Sequence, residues 1–345
     1  MGADGSMQGR PSKVLLDTDM VDWLDDGAAM MMLEKSPEVD LVGVTTCIGN
    51  TWVEDGTASA LRQLEAIGAD HVPVCMGVNS VTRKGRFAGM QEELKRFGSA
   101  AGMYLGAAAV PEPASWEQAY LQRYGQRPRL KPSGAFAPDF IQDELRKHPG
   151  QVTIIAIGSG DNLSEALRRD PKAASLARRI IIMGGAFFVP GNVMPCAEFN
   201  SWIDPEAMRA VFRAPFPEMV IVPLDATNHV RITPERYQRM KSLVRNPNIC
   251  SLMARHWMTP LFEKGEVPHE NCVWDLIAAA IAIDPSVIAK ESLLPVDVVD
   301  QYGPCYGQTI AYTGQGPEGA RKARIVLRAD EKKVWEMIFK MCSEL

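Results

Sequence analysis

Short apolar runs alternate with amphipathic stretches along most of the chain. Residues 13–17, KVLLD, read as a strand, and 25–36, DDGAAMMMLEKS, as the helix that follows it. The same pairing recurs in VDLVGVTTCIG (39–49) before VEDGTASALRQLEAIGA (53–69), and in QVTIIAIG (151–158) before NLSEALRRD (162–170). VPVCMG (72–77) and RRIIIMGG (178–185) add two further strands. EMVIVPLDAT (218–227) adds another, followed by the helical TPERYQRMKSL (233–243). The strand segments are β-branched and almost continuously apolar, which suits strands buried on both faces. Strand–helix alternation of this kind predicts an α/β fold: an open, mostly parallel sheet flanked by helices, with its functional loops at the carboxyl ends of the strands.

Two regions break the alternation. Residues 79–135 carry RKGRF, PEPASW and GQRPRLKPSG, and residues 257–272 read WMTPLFEKGEVPHENC. Long irregular segments inside a compact domain are either functional lids or plain surface insertions, and the composition fits both. No linker or internal repeat divides the chain, so a single domain is expected over 13–345 behind a flexible tail at 1–12.

Composition narrows the field. With 46% hydrophobic and 23% charged residues in a chain of 345, the protein has the make-up of an ordinary globular domain. A net charge of −5 without a basic stretch argues against nucleic acid as a partner. No apolar run is long enough to span a bilayer, and no signal peptide opens the sequence. Seven scattered cysteines with no CxxC pair point to free thiols and a reducing compartment. The cytoplasm is the expected location, with import into an organelle of the peroxisome type left open. The opening MGADGS matches the loose N-myristoylation pattern, equally readable as a plain tail. The terminal SEL is a poor peroxisomal signal, because Glu344 stands where a lysine is expected.

Charge patterning then singles out one place. Asp17, Asp19, Asp22, Asp25 and Asp26 crowd the end of the first strand and the start of its helix. A helix N-terminus supplies only about half an elementary charge, too little to keep several converging carboxylates ionised. Protons or a cation must compensate, and all-oxygen ligation favours a hard ion such as Ca²⁺ or Mg²⁺. The plainer alternative is an N-cap with solvated loop acids. It suits Asp22 better than Asp19 or Asp26.

Two further clusters carry polar groups. MGGAFFVPGNVMPCAEFNSWIDPEAM (183–208) follows a strand that ends in Gly184–Gly185 and presents Asn192, Glu198 and Asn200. Amides and a carboxylate spaced this way can hydrogen-bond a polyol. Asp204, ahead of Pro205, reads as a helix N-cap. NCVWDLIAAAIAID (271–284) places Trp274 and Asp275 at the start of an apolar helix, where Asp275 is either a first-turn acid or one more carboxylate aimed at the strand-1 cluster.

Taken together, LLDTDMVDWLDDGAAMMML, VTTCIGN, AIGSGDNLSEAL, MGGAFFVPGNVMPCAEFNSWIDPEA and WDLIAAAIAID, in this order from about residue 13 to 330, resemble the nucleoside hydrolases. The resemblance implies a Rossmann-like sheet, cleavage of the N-glycosidic bond of ribonucleosides, a tightly held Ca²⁺ and a homo-oligomer, dimer or tetramer. It assigns Asp19 as general base and calcium ligand. Asp26 and Asp275 become side-chain ligands, and Asp161 a ligand through its backbone carbonyl. Asp25 and Asn50 hold ribose hydroxyls; Asn192, Glu198 and Asn200 hold the 5′ end and the ring face; Asp17 braces the group from behind. Asn200 and Trp274 join Asp19 in the catalytic set.

The chain departs from the family pattern in three places. Asp19 and Asp25 are six positions apart, two more than usual, with the extra residues inside MVDW, so Asp22 is a potential competitor for the metal. Asp161 replaces a threonine. Trp274 stands where a histidine serves as leaving-group acid in the broad-specificity branch; a Trp-Asp pair is similar to the purine-specific branch, in which indoles sandwich the base. Candidates for the second stacking ring are Trp52, Trp116 and Phe87, with Trp23 as an outsider. Two rival readings remain: a DxD-type phosphatase on a similar sheet, which AEFNSWIDPEA does not fit, and a non-catalytic nucleoside-binding protein.

Overall fold

The computed structural model describes residues 11–100, 103–256, 258–267 and 271–345. The myristoylation pattern and most of the expected tail, as well as part of the 257–272 segment, lie outside the described residues. Residue 12 belongs to the fold, since the first strand begins there.

Nine strands form one sheet: β1 Ser12–Thr18, β2 Val39–Thr46, β3 Val74–Met76, β4 Val152–Ala156, β5 Arg179–Met183, β6 Met219–Val222, β7 Ile288–Val298, β8 Thr309–Ala311 and β9 Arg321–Ala329. Their spatial order is β3-β2-β1-β4-β5-β6-β9-β7-β8. Every pair from β3 to β9 is parallel, and β7 pairs antiparallel with both β9 and β8. The expected mostly parallel α/β sheet is therefore the observed one. β4 and β5 are buried throughout, in keeping with sheet faces covered by helices on both sides. One apolar layer gathers the helices Asp26–Lys35, Val53–Ile67 and Trp274–Ile283; the other packs Ile141, Leu163, Met208 and Phe212 on the opposite face.

Two features differ from the sequence reading. The antiparallel strands β7–β9 carry a half-exposed, charge-interrupted pattern such as IAKESLLPVDV, which lacks the continuous apolar signature of the buried strands. The segment 79–135 is less irregular than its Gly and Pro content suggests, holding helices at Arg86–Phe97 and Trp116–Tyr124.

Strand order reverses at β1, whose neighbours lead to β2 and β3 on one side and to β4, β5 and β6 on the other. In an open parallel sheet the crevice at that reversal, beyond the carboxyl ends of the strands, is where ligands bind. Asp17 sits level with Thr45 on β2 and Ala156 on β4, at the lip of this crevice.

Candidate active site

A cavity of about 750 Å³ opens above the carboxyl ends of β1, β4 and β5. Asp25, Asp26 and Asp275 form its floor, with Ile157 just past the end of β4. Asp19 and Asp17 lie directly beneath, both fully buried.

Local geometry explains the convergence. Asp25 precedes the helix Asp26–Lys35 with φ 119°, an unfavourable conformation for a non-glycine residue. Its Oδ1 does not cap its own helix but accepts the backbone N–H of Asp275 (2.7 Å), which ties the start of the Trp274–Ile283 helix to the strand-1 loop. Asp26 Oδ1 accepts from Thr18 Oγ1 (2.5 Å), and Asp19 Oδ2 from the Asn50 N–H (2.6 Å). Asp17 Oδ1 is held by Thr45 Oγ1 (2.6 Å) and Asn162 Nδ2 (2.7 Å). Gly49 is required here, because a Cβ on it would lie 2.1 Å from Asp19 Oδ2.

The acids lean on one another in pairs, Asp19 against Asp26 and Asp25 against Asp275. Among the described residues no group of three or more His, Cys, Asp or Glu side chains has the ready-made spacing of a closed metal site. Burial raises the pKa of Asp19 well above the carboxylate range, and repulsion from Asp26 adds to it. Burial and then Asp25, Asp26 and Asp19 do the same to Asp275; burial and then Asp26 do so to Asp25. Asp17 and Asp26 are pushed up to about 6, chiefly by burial. One oxygen of each of Asp17, Asp19, Asp26 and Asp275 is buried without a hydrogen-bond partner. Unsatisfied buried polar atoms cost about 1–3 kcal/mol each. A hard cation fits this all-oxygen set, since it would replace the shared protons and satisfy the orphaned oxygens.

One wall is the 184–200 segment with Asn50 and Tyr104. Glu198 caps the short helix Phe199–Ile203: Oε1 accepts the Asn200 N–H (2.8 Å), and Oε2 accepts those of Gly185 (2.8 Å) and Ser201 (3.1 Å). Asn200 Nδ2 donates to the carbonyls of Ile157 (3.1 Å) and Met183 (3.2 Å), bridging the ends of β4 and β5. Asn192 Oδ1 accepts from the Phe199 N–H (3.0 Å), and Asn50 Oδ1 from Tyr104 Oη (2.8 Å). The rings of Tyr104 and Phe199 are 4.9 Å apart.

A second wall is made by the lengthened strand-1 loop, the end of the Trp116–Tyr124 helix and residues 255–258. Asp22 accepts from Arg123 Nε (3.0 Å) and Tyr124 Oη (2.5 Å), so its charge is already met by an arginine. Arg255 donates to the Arg123 carbonyl and lies over the Tyr124 ring. His256 accepts from the Met258 N–H at Nδ1 and hydrogen-bonds the Leu24 backbone; burial pushes its pKa down to about 4. The loop is pinned from below by Trp23, fully buried at φ 59°, whose backbone N–H donates to Gln63 Oε1 (2.9 Å). Gln63 Nε2 in turn donates to the Val21 carbonyl (3.2 Å). Trp274 is half-buried and lines the cavity beside Asp275.

The structure therefore brings together Asp17, Asp19, Asp25, Asp26, Asn50, Asn192, Glu198, Asn200, Trp274 and Asp275. It does not bring in Asp161. That residue opens the helix Asp161–Arg169 and lines a different cavity; its side chain accepts from Ser159 and faces Asp204. The residue of this turn that lines the cavity is Ile157, four residues earlier. Trp52 and Phe87 pack edge to face beside that other cavity, Trp116 packs against the core and Trp23 lies within it. None of the four is a cavity ring. Tyr104 and Phe199 are, and Tyr104, Arg123, Arg255 and His256 had no motif to announce them. Asp204 caps the helix Pro205–Arg213.

Comparison with known proteins places this arrangement. The family model described as inosine-uridine preferring nucleoside hydrolase matches residues 14–336. The chain is 28% identical over 331 residues to the inosine-uridine preferring nucleoside hydrolase of Crithidia fasciculata, covering 95% of this chain and 96% of that one. It is 32% identical over 231 residues to uridine nucleosidase 1 of Arabidopsis thaliana, covering 67% of this chain and 62% of the other. Among solved structures, a plant nucleoside hydrolase (PpNRh1 enzyme) superposes with a TM-score of 0.76 at 26% identity, covering 96% of this chain and 99% of its own.

Proposed function

The chain belongs to the inosine-uridine preferring nucleoside hydrolase family, and on that premise we propose that it hydrolyses the N-glycosidic bond of ribonucleosides, with a preference for purines, to ribose and free base. The observation that carries this reading is the floor of converging aspartates with orphaned oxygens, walled by amides and a buried glutamate.

Asp19, Asp26, Asp275 and the Ile157 carbonyl would hold Ca²⁺. When bound there, the ion supplies positive charge that makes an attacking water easier to deprotonate. Asp19 accepts the water proton, a contribution typically worth about 10²–10⁴-fold. Asp17, fixed by Thr45 and Asn162, holds the back of the acid group in place. Asp25 and Asn50 bind ribose hydroxyls. Asn192, Glu198 and Asn200 orient the 5′ end, and their oxygens favour the positive charge that grows on the sugar ring as the bond breaks. Trp274 stacks on the base; the purine preference rests on its indole.

The same reading makes a nucleoside the small-molecule partner and the enzyme a homo-oligomer, dimer or tetramer. The seven free cysteines support a cytoplasmic setting. Among the described residues no helix is long and apolar enough to cross a membrane.

Incubation with a panel of nucleosides, with liberated base measured before and after calcium is stripped and restored, tests the activity and the metal together. Release of base only with calcium is expected. Release of phosphate from phosphate esters instead, or inosine bound but intact, would reverse the reading in favour of a phosphatase or a binding protein. Within the panel, inosine or guanosine should exceed uridine in kcat/KM; the reverse order removes the purine preference, as the names of the relatives would then lead one to expect.

A further inference from the structure

Resting on the proposed hydrolysis, we propose that Arg123, aimed by Asp22 of the lengthened loop, is the group that holds the departing base as it leaves with the bonding electrons.

The problem it answers is chemical. When the bond between the sugar C1′ and the base nitrogen breaks, the electron pair stays on the base. The base must then be protonated as it leaves or be stabilised as an anion. Protonation needs an acid on the cavity wall; Trp274 offers only an indole N–H, and the Tyr104 hydroxyl donates to Asn50 Oδ1. His256 is the sole histidine among the described lining residues, and its ring is tied to the Met258 N–H and the Leu24 backbone. Glu198 has both oxygens occupied by main-chain amides.

The second wall supplies the alternative. Among the described residues, Arg123 and Arg255 are the arginines that line the cavity, and both lie on the wall that the strand-1 loop helps to form. Arg123 is 30% exposed, while its partner Asp22 is 11% exposed. Asp22 takes the Nε edge, Tyr124 fixes the other oxygen of Asp22, and Asp55 Oδ1 lies 4.0 Å from Nη1, so the guanidinium is held between two carboxylates. Arg255 grips the Arg123 carbonyl and so fixes the end of the Trp116–Tyr124 helix. A guanidinium held in this way needs no reorganisation as charge develops, the condition under which such groups contribute most. Its N–H groups suit a base that spreads negative charge onto a ring carbonyl oxygen: hypoxanthine, guanine, uracil or cytosine in preference to adenine.

The step balances. Water adds its hydroxyl to C1′, and its proton goes to Asp19. The C1′–N bond breaks towards the base, which leaves as an anion against Arg123. The base then takes a proton from solvent, and Asp19 releases one.

The test compares inosine with p-nitrophenyl β-D-riboside, whose leaving group needs no help. Arg123→Ala should lower kcat on inosine by about 10²-fold, the usual loss for one preorganised electrostatic donor, with no more than a few-fold change on the nitrophenyl riboside. Asp22→Asn should show the same split more weakly, since it positions the arginine and does not touch the base. Arg123→Ala should also narrow the inosine-to-adenosine ratio. Equal losses on both ribosides, or no loss on inosine, in a variant with unchanged thermal midpoint would overturn the assignment. A wild-type enzyme that cleaves neither riboside would fail the proposed function instead.

Discussion

Asp19 and Asp22 are three residues apart, both buried, and opposite in their electrostatics. Asp22 has its carboxylate gripped by Arg123 and Tyr124. Asp19 leans on another acid, with one oxygen held by the Asn50 amide and the other unpartnered. The first is a finished ion pair that shapes a wall. The second belongs to a group assembled against its own repulsion, an arrangement that makes sense only with something positive among the carboxylates. The difference teaches that an aspartate count does not reveal function; what compensates each charge does.

The largest expected effect breaks the pair on activity. Asp19→Ala should lower turnover by about 10²–10⁴-fold, measured as base release under saturating nucleoside. Without calcium, its thermal midpoint should stay level or rise, because removing one of several adjacent buried carboxylates relieves repulsion. Near-normal turnover would remove Asp19 as the base. Asp22→Ala should do the reverse in stability, losing about 1–3 kcal/mol in urea unfolding, because it leaves a half-buried arginine with only Asp55 at 4.0 Å and the Tyr124 hydroxyl with only Ser59. A neutral result would reduce the Asp22–Arg123 pair to an ordinary surface contact, of which the median contributes little.

The smallest effect is a pH dependence on the same wall. Burial holds His256 at about 4, below its ordinary 6.5. The unfolded chain therefore binds the proton first, and stability falls as pH drops from 6.5 towards 4, with no contribution above that window. Between pH 7 and 5.5 the loss should be on the order of 1 kcal/mol. His256→Gln should flatten that part of the stability curve; an unchanged slope would mean that other groups carry it.

Much of this was legible before any coordinates. The parallel strands announce themselves because strands buried on both faces must be apolar throughout, and an acid run at the end of such a strand has few places to go. Asp25, Asp26 and Asp275 meet at the floor because the first and last of the motif helices both start there. Asp161 lies in the turn its motif marks but lines a different cavity, while Ile157, before the chain turns away into the helix, lines this one. Tyr104, Arg123 and His256 left no trace in the pattern. They sit in segments whose course is set by packing against the sheet, and a lone arginine at a helix end looks the same whether it faces solvent or a cavity. The strands β7 to β9 were missed for the complementary reason, since their half-exposed faces carry lysine, arginine and glutamate.

The buried indole of Trp23 decides how the lengthened loop can be altered. Its backbone is held in the left-handed region and its ring is part of the core, so the two added positions are woven into the foundation and not hung from the rim. Deleting them to restore the usual spacing would pull a keystone from beneath the acids as well as removing a wall. An engineer retuning base selectivity should therefore leave the loop's length alone and recut only the side chains that line the cavity, at Val21, Asp22 and Leu24.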